Sequence, residues 1–394
     1  MHRWTGRLFV CALVVLVGGS LVAWAQTPLK VGEMKPYHAE TPHPYPLGTE
    51  SRPVVWTDQI ISPGAEFVRV HFSHFSLAPG DYVTVSSPDG SQVWTYTGNG
   101  PHHGGDILAF AIDGDTAIVQ IHGGKGNGHG YLIDAVGHGT APLGPRHGPS
   151  LEVICGTDGR EDVACESAVN SVQGPVARLI FQSGGSLFAC TGWLVAGSNV
   201  NTLITNNHCF STQTEVNTLQ ATFNFQRLTC GGSINAGTDF AGGTFLKTNS
   251  LNKHGQKGGL DYTLTTLLGN PSASFGQLTA TTKSVGVGDL IYFIQHPGGN
   301  EKKVGFYEDA PHTIRCKVDA INQTYSRSAT GSQTAYGCDS EGGASGSPIV
   351  DVSSGHVAAL HHFGGVSSSP CLNSGSQLSK ICADAGSLLS CASN

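Results

Sequence analysis

The sequence is poor in charge. Asp, Glu, Lys and Arg make up 12% of its 394 residues, about half the usual share of roughly 25%. Helical bundles and coiled coils need charged outer faces, so this deficit argues against them as the main architecture. Positive charge is scarce in particular: 21 Lys and Arg against 28 Asp and Glu give a net charge of −7. That leaves no basic footprint, and no nucleic-acid partner is expected. A CxxC pair occurs nowhere, which removes the usual frame of a structural zinc cluster; neither metal nor cofactor is expected. Beyond residue 25 no run is long and apolar enough to span a bilayer.

What the chain does have is glycine, 54 residues, about twice the usual frequency of roughly 7%. Many Gly, Ser and Thr with few charges favour short strands joined by tight turns. The N-terminus reads as an address. Arg3 and Arg7 precede the apolar run Leu8 to Val17, and Ala23-Trp24-Ala25 forms a small-x-small cleavage site before Gln26. The rival reading, a stable membrane anchor, is weakened by Gly18, Gly19 and Ser20. Residues 1–25 are therefore expected to be a signal peptide, and the mature protein to be secreted to the extracellular space. Cysteine usage agrees with export. Of eleven, Cys11 lies in the signal; the other ten all follow residue 150. They are Cys155, Cys165, Cys190, Cys209, Cys230, Cys316, Cys338, Cys371, Cys382 and Cys391. An even number in an oxidising compartment reads as up to five disulfides.

The rest divides in two. Residues 26–50 hold five prolines and little apolar periodicity, which reads as an extended leader. Over 51–136, Val68, Val70 and Phe72 alternate with Arg69 and His71, as a strand with one buried face requires. Further short apolar runs are separated by turn signals such as Pro88-Asp89-Gly90 and Asp113-Gly114-Asp115. This spacing predicts a small antiparallel β-sandwich. It loosely resembles the CUB-like or jelly-roll accessory modules of secreted proteins. Residues 137–150 are Gly- and Pro-rich and read as a linker. The remainder, 151–394, suits one double-barrel β domain.

Three segments of that second half carry chemistry. In the first, Leu203-Ile-Thr-Asn-Asn-His208-Cys209, a strand ends in a His flanked by Cys. In the second, Asp261 opens the uncharged run Tyr262 to Leu267. In the third, Cys338-Asp-Ser-Glu-Gly-Gly-Ala-Ser345-Gly-Ser-Pro-Ile349, a Ser sits in a Gly-rich loop ahead of a strand. A serine hydroxyl is a weak nucleophile and needs an adjacent base. Histidine, with an unperturbed pKa of roughly 6.5, can take and return that proton. A buried carboxylate fixes the imidazole tautomer. Glycines beside the Ser let backbone N–H groups face an oxyanion. The assignment is Ser345 as nucleophile, His208 as base and acid, Asp261 as orienting carboxylate, and the N–H groups of Gly343 and Ser345 as oxyanion hole. Asp239 is an alternative acid and Ser347 an alternative serine.

The order His, Asp, Ser, with TNNHC, LDYTL and GASGSP, resembles the chymotrypsin-like (trypsin-fold) serine peptidases. Within them it is most similar to the secreted microbial branch around lysyl endopeptidase and the glutamyl endopeptidases. The resemblance covers about residues 151–375. It implies an all-β fold, an antiparallel double β-barrel preceded here by the sandwich. It also implies bridges Cys190–Cys209, Cys165–Cys230 and Cys155–Cys371, with Cys316–Cys338 and Cys382–Cys391 left over as the remaining pairs. Trypsin-type zymogens carry an Asp just before the nucleophile; here Ala344 stands there, so activation is not expected to use that ion pair. Whether 26–150 is a removed pro-region or a retained domain stays open.

Specificity is open as well. Asp339 stands six residues before Ser345, where trypsin-like enzymes place the S1 carboxylate that selects Arg or Lys. His362 stands where glutamyl endopeptidases carry the His that reads an acidic P1 residue. The reading leans to a basic P1. The grouped pairs His71/His74 and His102/His103 lack carboxylates or Cys at ligand spacing and read as exposed. Trp56 and Trp94 read as core packing, and Asn322-Gln-Thr324 is a glycosylation sequon. The expectation is a monomeric secreted serine endopeptidase acting on protein or peptide substrates. The alternative is a catalytically silent peptidase-like binding or adhesion protein.

Overall fold

A computed structural model describes residues 28–49, 51, 53–124, 128–140, 153–253, 256–325, 327–364 and 371–393. The expected signal peptide 1–25 and most of the expected linker lie outside them.

The first part has seven main strands: β1 (Leu29–Glu40), β2 (Val54–Ile61), β3 (Phe67–Ser76), β4 (Tyr82–Ser86), β5 (Val93–Thr97), β6 (Thr116–His122) and β7 (Gly130–Gly139). One sheet has the order β2-β6-β4-β5; the facing strands run β1-β7-β3. Alternation dictates the core between them. Val68, Val70 and Phe72 meet Val83, Val85, Val119 and Ile121, all without solvent exposure. Trp56 and Trp94 pack at the edge of this core.

The second part starts with a barrel of β8 (Val176–Ser183), β9 (Ser186–Leu194), β10 (Thr202–Thr205), β11 (Gln220–Phe223), β12 (Thr238–Asn249) and β13 (Tyr262–Leu267). The order β8-β11-β12-β13-β10-β9 closes because β8 also pairs with β9. Next come β14 (Ile291–Gln295), β15 (Lys303–Gly305), β16 (Val318–Gln323), β17 (Gln333–Tyr336), β18 (Pro348–Asp351), β19 (Val357–Phe363) and β20 (Asn373–Gln377). They form a half-barrel ordered β15-β14-β18-β19-β20-β17-β16, with the short strand Arg160–Asp162 on its β15 edge. Between the two lies a core containing Trp193, Tyr262, Ile294, Val350 and Leu360. The protein is thus all-β, with a double-barrel domain after a β-sandwich. Five disulfides join Cys155–Cys371, Cys165–Cys230, Cys190–Cys209, Cys316–Cys338 and Cys382–Cys391.

Two features of the first part escape the sequence reading. β7 runs to Gly139, so the first residues of the expected linker are strand, paired with β1 and β3. The Pro-rich leader, in turn, supplies β1, which pairs with β7 on one side and β9 of the barrel on the other. One continuous sheet therefore runs from the barrel into the sandwich. The seam is apolar, built on Val31, Leu108, Ile180, Leu187 and Ala189.

Arg69 sits on the outward face of β3 by alternation, yet it is fully buried because that face is covered by the barrel. Its guanidinium donates to the carbonyls of Ala109 at 2.9 Å, Leu108 at 3.3 Å and Thr218 of the barrel at 3.0 Å. Burial draws its pKa down to about 10, so it stays charged at neutral pH. Replacing Arg69 with Met strands those carbonyls. The expected cost is about 2–4 kcal/mol, read as a lower urea midpoint; an unchanged midpoint would remove Arg69 from the joint.

Candidate active site

Three loops converge on the inner end of β9. β10 carries the chain to Asn206-Asn207-His208, and the Cys190–Cys209 disulfide ties the residue after His208 back to β9. Asp261 precedes β13 with φ +52°, a left-handed conformation uncommon outside Gly, Asn and Asp. Asn206 holds that turn by donating to the Asp261 carbonyl at 2.9 Å. Asp261 has no exposed surface. Its Oδ1 accepts the His208 backbone N–H at 3.0 Å, and its Oδ2 lies 2.7 Å from His208 Nδ1. With Nδ1 bearing the proton, the lone pair of His208 falls on Nε2. That atom is buried and lacks a hydrogen-bond partner among the described residues.

A second imidazole meets the same carboxylate. His362 Nδ1 lies 3.0 Å from Asp261 Oδ2, and its Nε2 lies 2.5 Å from the Gln333 side chain. Burial lowers the His362 pKa, against the raising pull of the Asp261 hydrogen bond and charge. The Gln333 side-chain oxygen faces the His362 Nε2, while its NH2 group donates to the hydroxyls of Ser332 at 2.9 Å and Ser376 at 3.1 Å. For Asp261 itself, burial would raise the carboxyl. The charge and hydrogen bond of His208, then those of His362, outweigh burial and hold it well below the usual carboxylate range.

Ser345 sits in a turn set by glycine. Gly343 has φ +100°, and a Cβ there would come within 2.8 Å of the Gly299 N and His296 O atoms. Gly346 has φ +92°, and a Cβ would lie 2.1 Å from the Thr191 carbonyl. Neither place admits a side chain. Thr191 of β9 donates its N–H to the Ser345 carbonyl at 2.9 Å, and Cys209 Sγ lies 4.0 Å from that carbonyl. So the loops of His208 and Ser345 hang on the same few residues of β9. Ser347 is spoken for: its hydroxyl donates to the Ala344 carbonyl at 2.6 Å. Asp239, the other acid, lies on β12 and accepts from Thr222 at 2.5 Å.

The Asp339 carboxylate is met by the backbone of the segment 153–160. It is fully buried, and its two oxygens accept the N–H groups of Cys155 at 3.0 Å and Gly159 at 2.8 Å. Burial raises its pKa against those two bonds. Asn373 makes a parallel tie, donating to the carbonyls of Val153 and Cys338. Arg160 bridges Asp158 and Glu341. The segment 153–160 thus fastens the loop before Ser345 from beneath. His362, the other specificity candidate, has no exposed surface and both ring nitrogens engaged. Thr191, Asn206 and Gln333 were not singled out from the sequence; Thr191 lies in the Cys190–Val195 run and Asn206 in TNNHC, whereas Gln333 carried no signal.

Of the groups that could hold a metal, Cys190, His208 and Cys209 place their ligand atoms within 4.8 Å of one another. The two sulfurs are joined in the disulfide, which has no thiolate to offer.

Comparison with known proteins agrees with this frame. Residues 157–379, more than half of the chain, match the model of the lysyl endopeptidase C-terminal domain. The chain is similar to secreted RxLR effector protein 73 of Plasmopara viticola, at 29% identity over 320 residues, 76% of this chain and 75% of that one. Among solved structures it is similar to the active form of the Rv3671c protease of M. tuberculosis, at 12% identity, 64% of this chain, 96% of that chain and a TM-score of 0.43. A Glu endopeptidase in complex with MPD is similar at 19% identity, 59% of this chain, 96% of that chain and a TM-score of 0.42. The chain belongs to the lysyl endopeptidase C-terminal domain family and is a serine endopeptidase of the chymotrypsin-like fold.

Proposed function

We propose that the protein is a secreted endopeptidase in which Ser345, His208 and Asp261 act as one unit. The observation that carries this reading is the 2.7 Å pairing of His208 Nδ1 with buried Asp261, which leaves Nε2 as the acceptor of the ring. Ser345 Oγ attacks the scissile carbonyl while Nε2 takes its proton. Negative charge moves to the carbonyl oxygen, which the N–H groups of Gly343 and Ser345 receive. The C–N bond breaks as Nε2–H protonates the leaving amine, and an acyl-Ser345 ester remains. Water, deprotonated by the same nitrogen, then releases the acid and restores Ser345.

The proposal includes a basic P1 residue, supported by the lysyl endopeptidase description of the family. It gives Asp339 the role of a backbone cap, since both oxygens already serve Cys155 and Gly159. Secretion is supported by the five disulfides and by the relative described as secreted. The division into signal 1–25, leader 26–50, sandwich 51–136, linker 137–150 and peptidase 151–394 stays part of it, with β1 as the strand that joins sandwich to barrel.

Ser345→Ala should abolish cleavage of a mixed peptide library and labelling by a fluorophosphonate; full activity in that variant would refute the assignment. The wild-type cuts should follow Arg or Lys. Asp339→Asn should keep that pattern while lowering stability by about 1–3 kcal/mol, because an amide N–H would face a backbone N–H. A changed P1 pattern at unchanged stability would return Asp339 to the pocket.

Asp261→Asn should lower kcat by roughly 10⁴, as loss of the correct imidazole tautomer does elsewhere. It should also change the acid response. A carboxyl depressed in the folded state contributes stability above its unfolded pKa of roughly 3.9, and that stability is lost as pH falls through the folded value. The wild type should therefore lose more stability than Asp261→Asn below about pH 4, measured as urea midpoints from pH 6 downwards. Parallel curves would contradict the assigned direction.

A further inference from the structure

β9 has two edges. One is covered by β8 along its length, from Trp193 against Val176 to Ser186 against Ser183. The other is divided. β10 pairs with Trp193 and Leu194, and Thr191 donates to the Ser345 carbonyl. Ala189 is two residues before Thr191, so its N–H and C=O point to that same edge, roughly 6.6 Å further along. There it pairs with Leu29, the first residue of β1. From Leu29 the chain runs antiparallel to β9, past Phe188, Leu187 and Ser186, away from Ser345.

The Leu29 side chain fills a recess floored by small residues. A Cβ added to Gly342 would lie 3.4 Å from Leu29 Cδ1, and one added to Gly299 would lie 4.0 Å from Leu29 Cδ2 and 3.1 Å from the Ala189 Cβ. Gly342 adjoins Gly343, and the Gly299 backbone touches the Gly343 turn. The recess therefore opens beside the place where a scissile carbonyl would sit.

Which half of a substrate belongs there follows from the proton path. On the serine-peptidase reading, His208 hands its proton to the leaving amine. The His208 ring lies against the Cys190–Cys209 disulfide, and Cys190 is the neighbour of Ala189. The leaving half departs past that disulfide, onto the edge of β9 that β1 holds. An extended peptide binds a free strand edge through its backbone and places alternate side chains in pockets. Here both edge and pocket are already filled.

We propose that β1 occupies the leaving-group side of the substrate cleft and that Leu29 is the residue that limits what fits there. The inference rests on the serine-peptidase reading above. The folded protein then still cuts within chains, but gains nothing from leaving-side residues beyond the first.

Two peptide series with the same acyl half, carrying one or four residues after the scissile bond, test this by kcat/KM. The wild type should show less than a twofold gain on extension. A variant secreted behind a foreign signal and starting at Val31 keeps the β1–β7 pairing from Gly32 to Glu40. It should gain about tenfold or more on extension, as a newly opened strand edge allows. The gain is read as the ratio of the two peptides within each protein, so a change in the basal rate does not enter it. Leu29→Ala, in the full chain, should show an intermediate gain and guards against misfolding of the shortened variant. A tenfold gain already present in the wild type, or the same length dependence in all three proteins, would overturn the proposal. Fluorophosphonate labelling separates the two failures. Labelled protein with the wrong length dependence rejects the β1 inference alone, whereas absence of labelling and turnover rejects the peptidase reading and the inference with it.

Discussion

A carboxylate without water must be surrounded by donors, and the centre of this protein is arranged around that requirement at Asp261. Removing an ionised carboxylate from solvent costs several kcal/mol unless its oxygens are met. Oδ1 is met by the backbone of His208, Oδ2 by two imidazoles. Each donor brings its own supports. Asn206 holds the Asp261 backbone in a left-handed turn, Gln333 engages the far nitrogen of His362, and the disulfide at Cys209 anchors the residue after His208. A change at any of these supports is felt at the carboxylate, and through it at the tautomer of His208.

The second organising element is β9. It belongs to the barrel, pairs with the strand that joins the sandwich, and holds the Ser345 carbonyl. Thr191 does two jobs: its N–H meets Ser345, while its hydroxyl donates to the Gly343 carbonyl at 2.8 Å. The two residues that flank the ends of the turn are fixed by one neutral side chain and one amide. With no Cβ tolerated at Gly343 or Gly346, the turn has few alternative conformations. This rigidity comes from close backbone approach.

The motifs were legible because they are local. TNNHC, LDYTL and GASGSP each place a candidate side chain beside a strand end, and strand ends were visible from apolar runs. The sandwich was legible for the same reason: Val68, Val70 and Phe72 alternate. What could not be read was the partner of each outer face. Arg69 occupies an outward position of β3, and only the barrel lying over that face makes it a buried residue. β1 has five prolines in and around it and no clean alternation, since it is covered on both edges by strands far away in sequence. His362 was noticed, but its neighbours Asp261 and Gln333 are 101 and 29 residues away.

Asp339 shows most clearly what spacing alone leaves open. Asp261 and Asp339 are the same residue type, both fully buried, each near the same serine loop. Their carboxyls nevertheless shift in opposite directions, Asp261 below the usual range and Asp339 above it. Burial raises both; the difference is in the donors. Asp261 faces two imidazole rings, whereas Asp339 faces two backbone N–H groups whose dipoles are fixed. A carboxylate beside a ring that can gain a proton stabilises that gain, which is useful when a reaction moves protons. A carboxylate capped by peptide groups stabilises a chain path, here the course of residues 153–160 beneath the serine loop. Counting six residues back from Ser345 finds Asp339 in either case. Only the groups that meet its oxygens distinguish a cap from an anchor for a substrate cation.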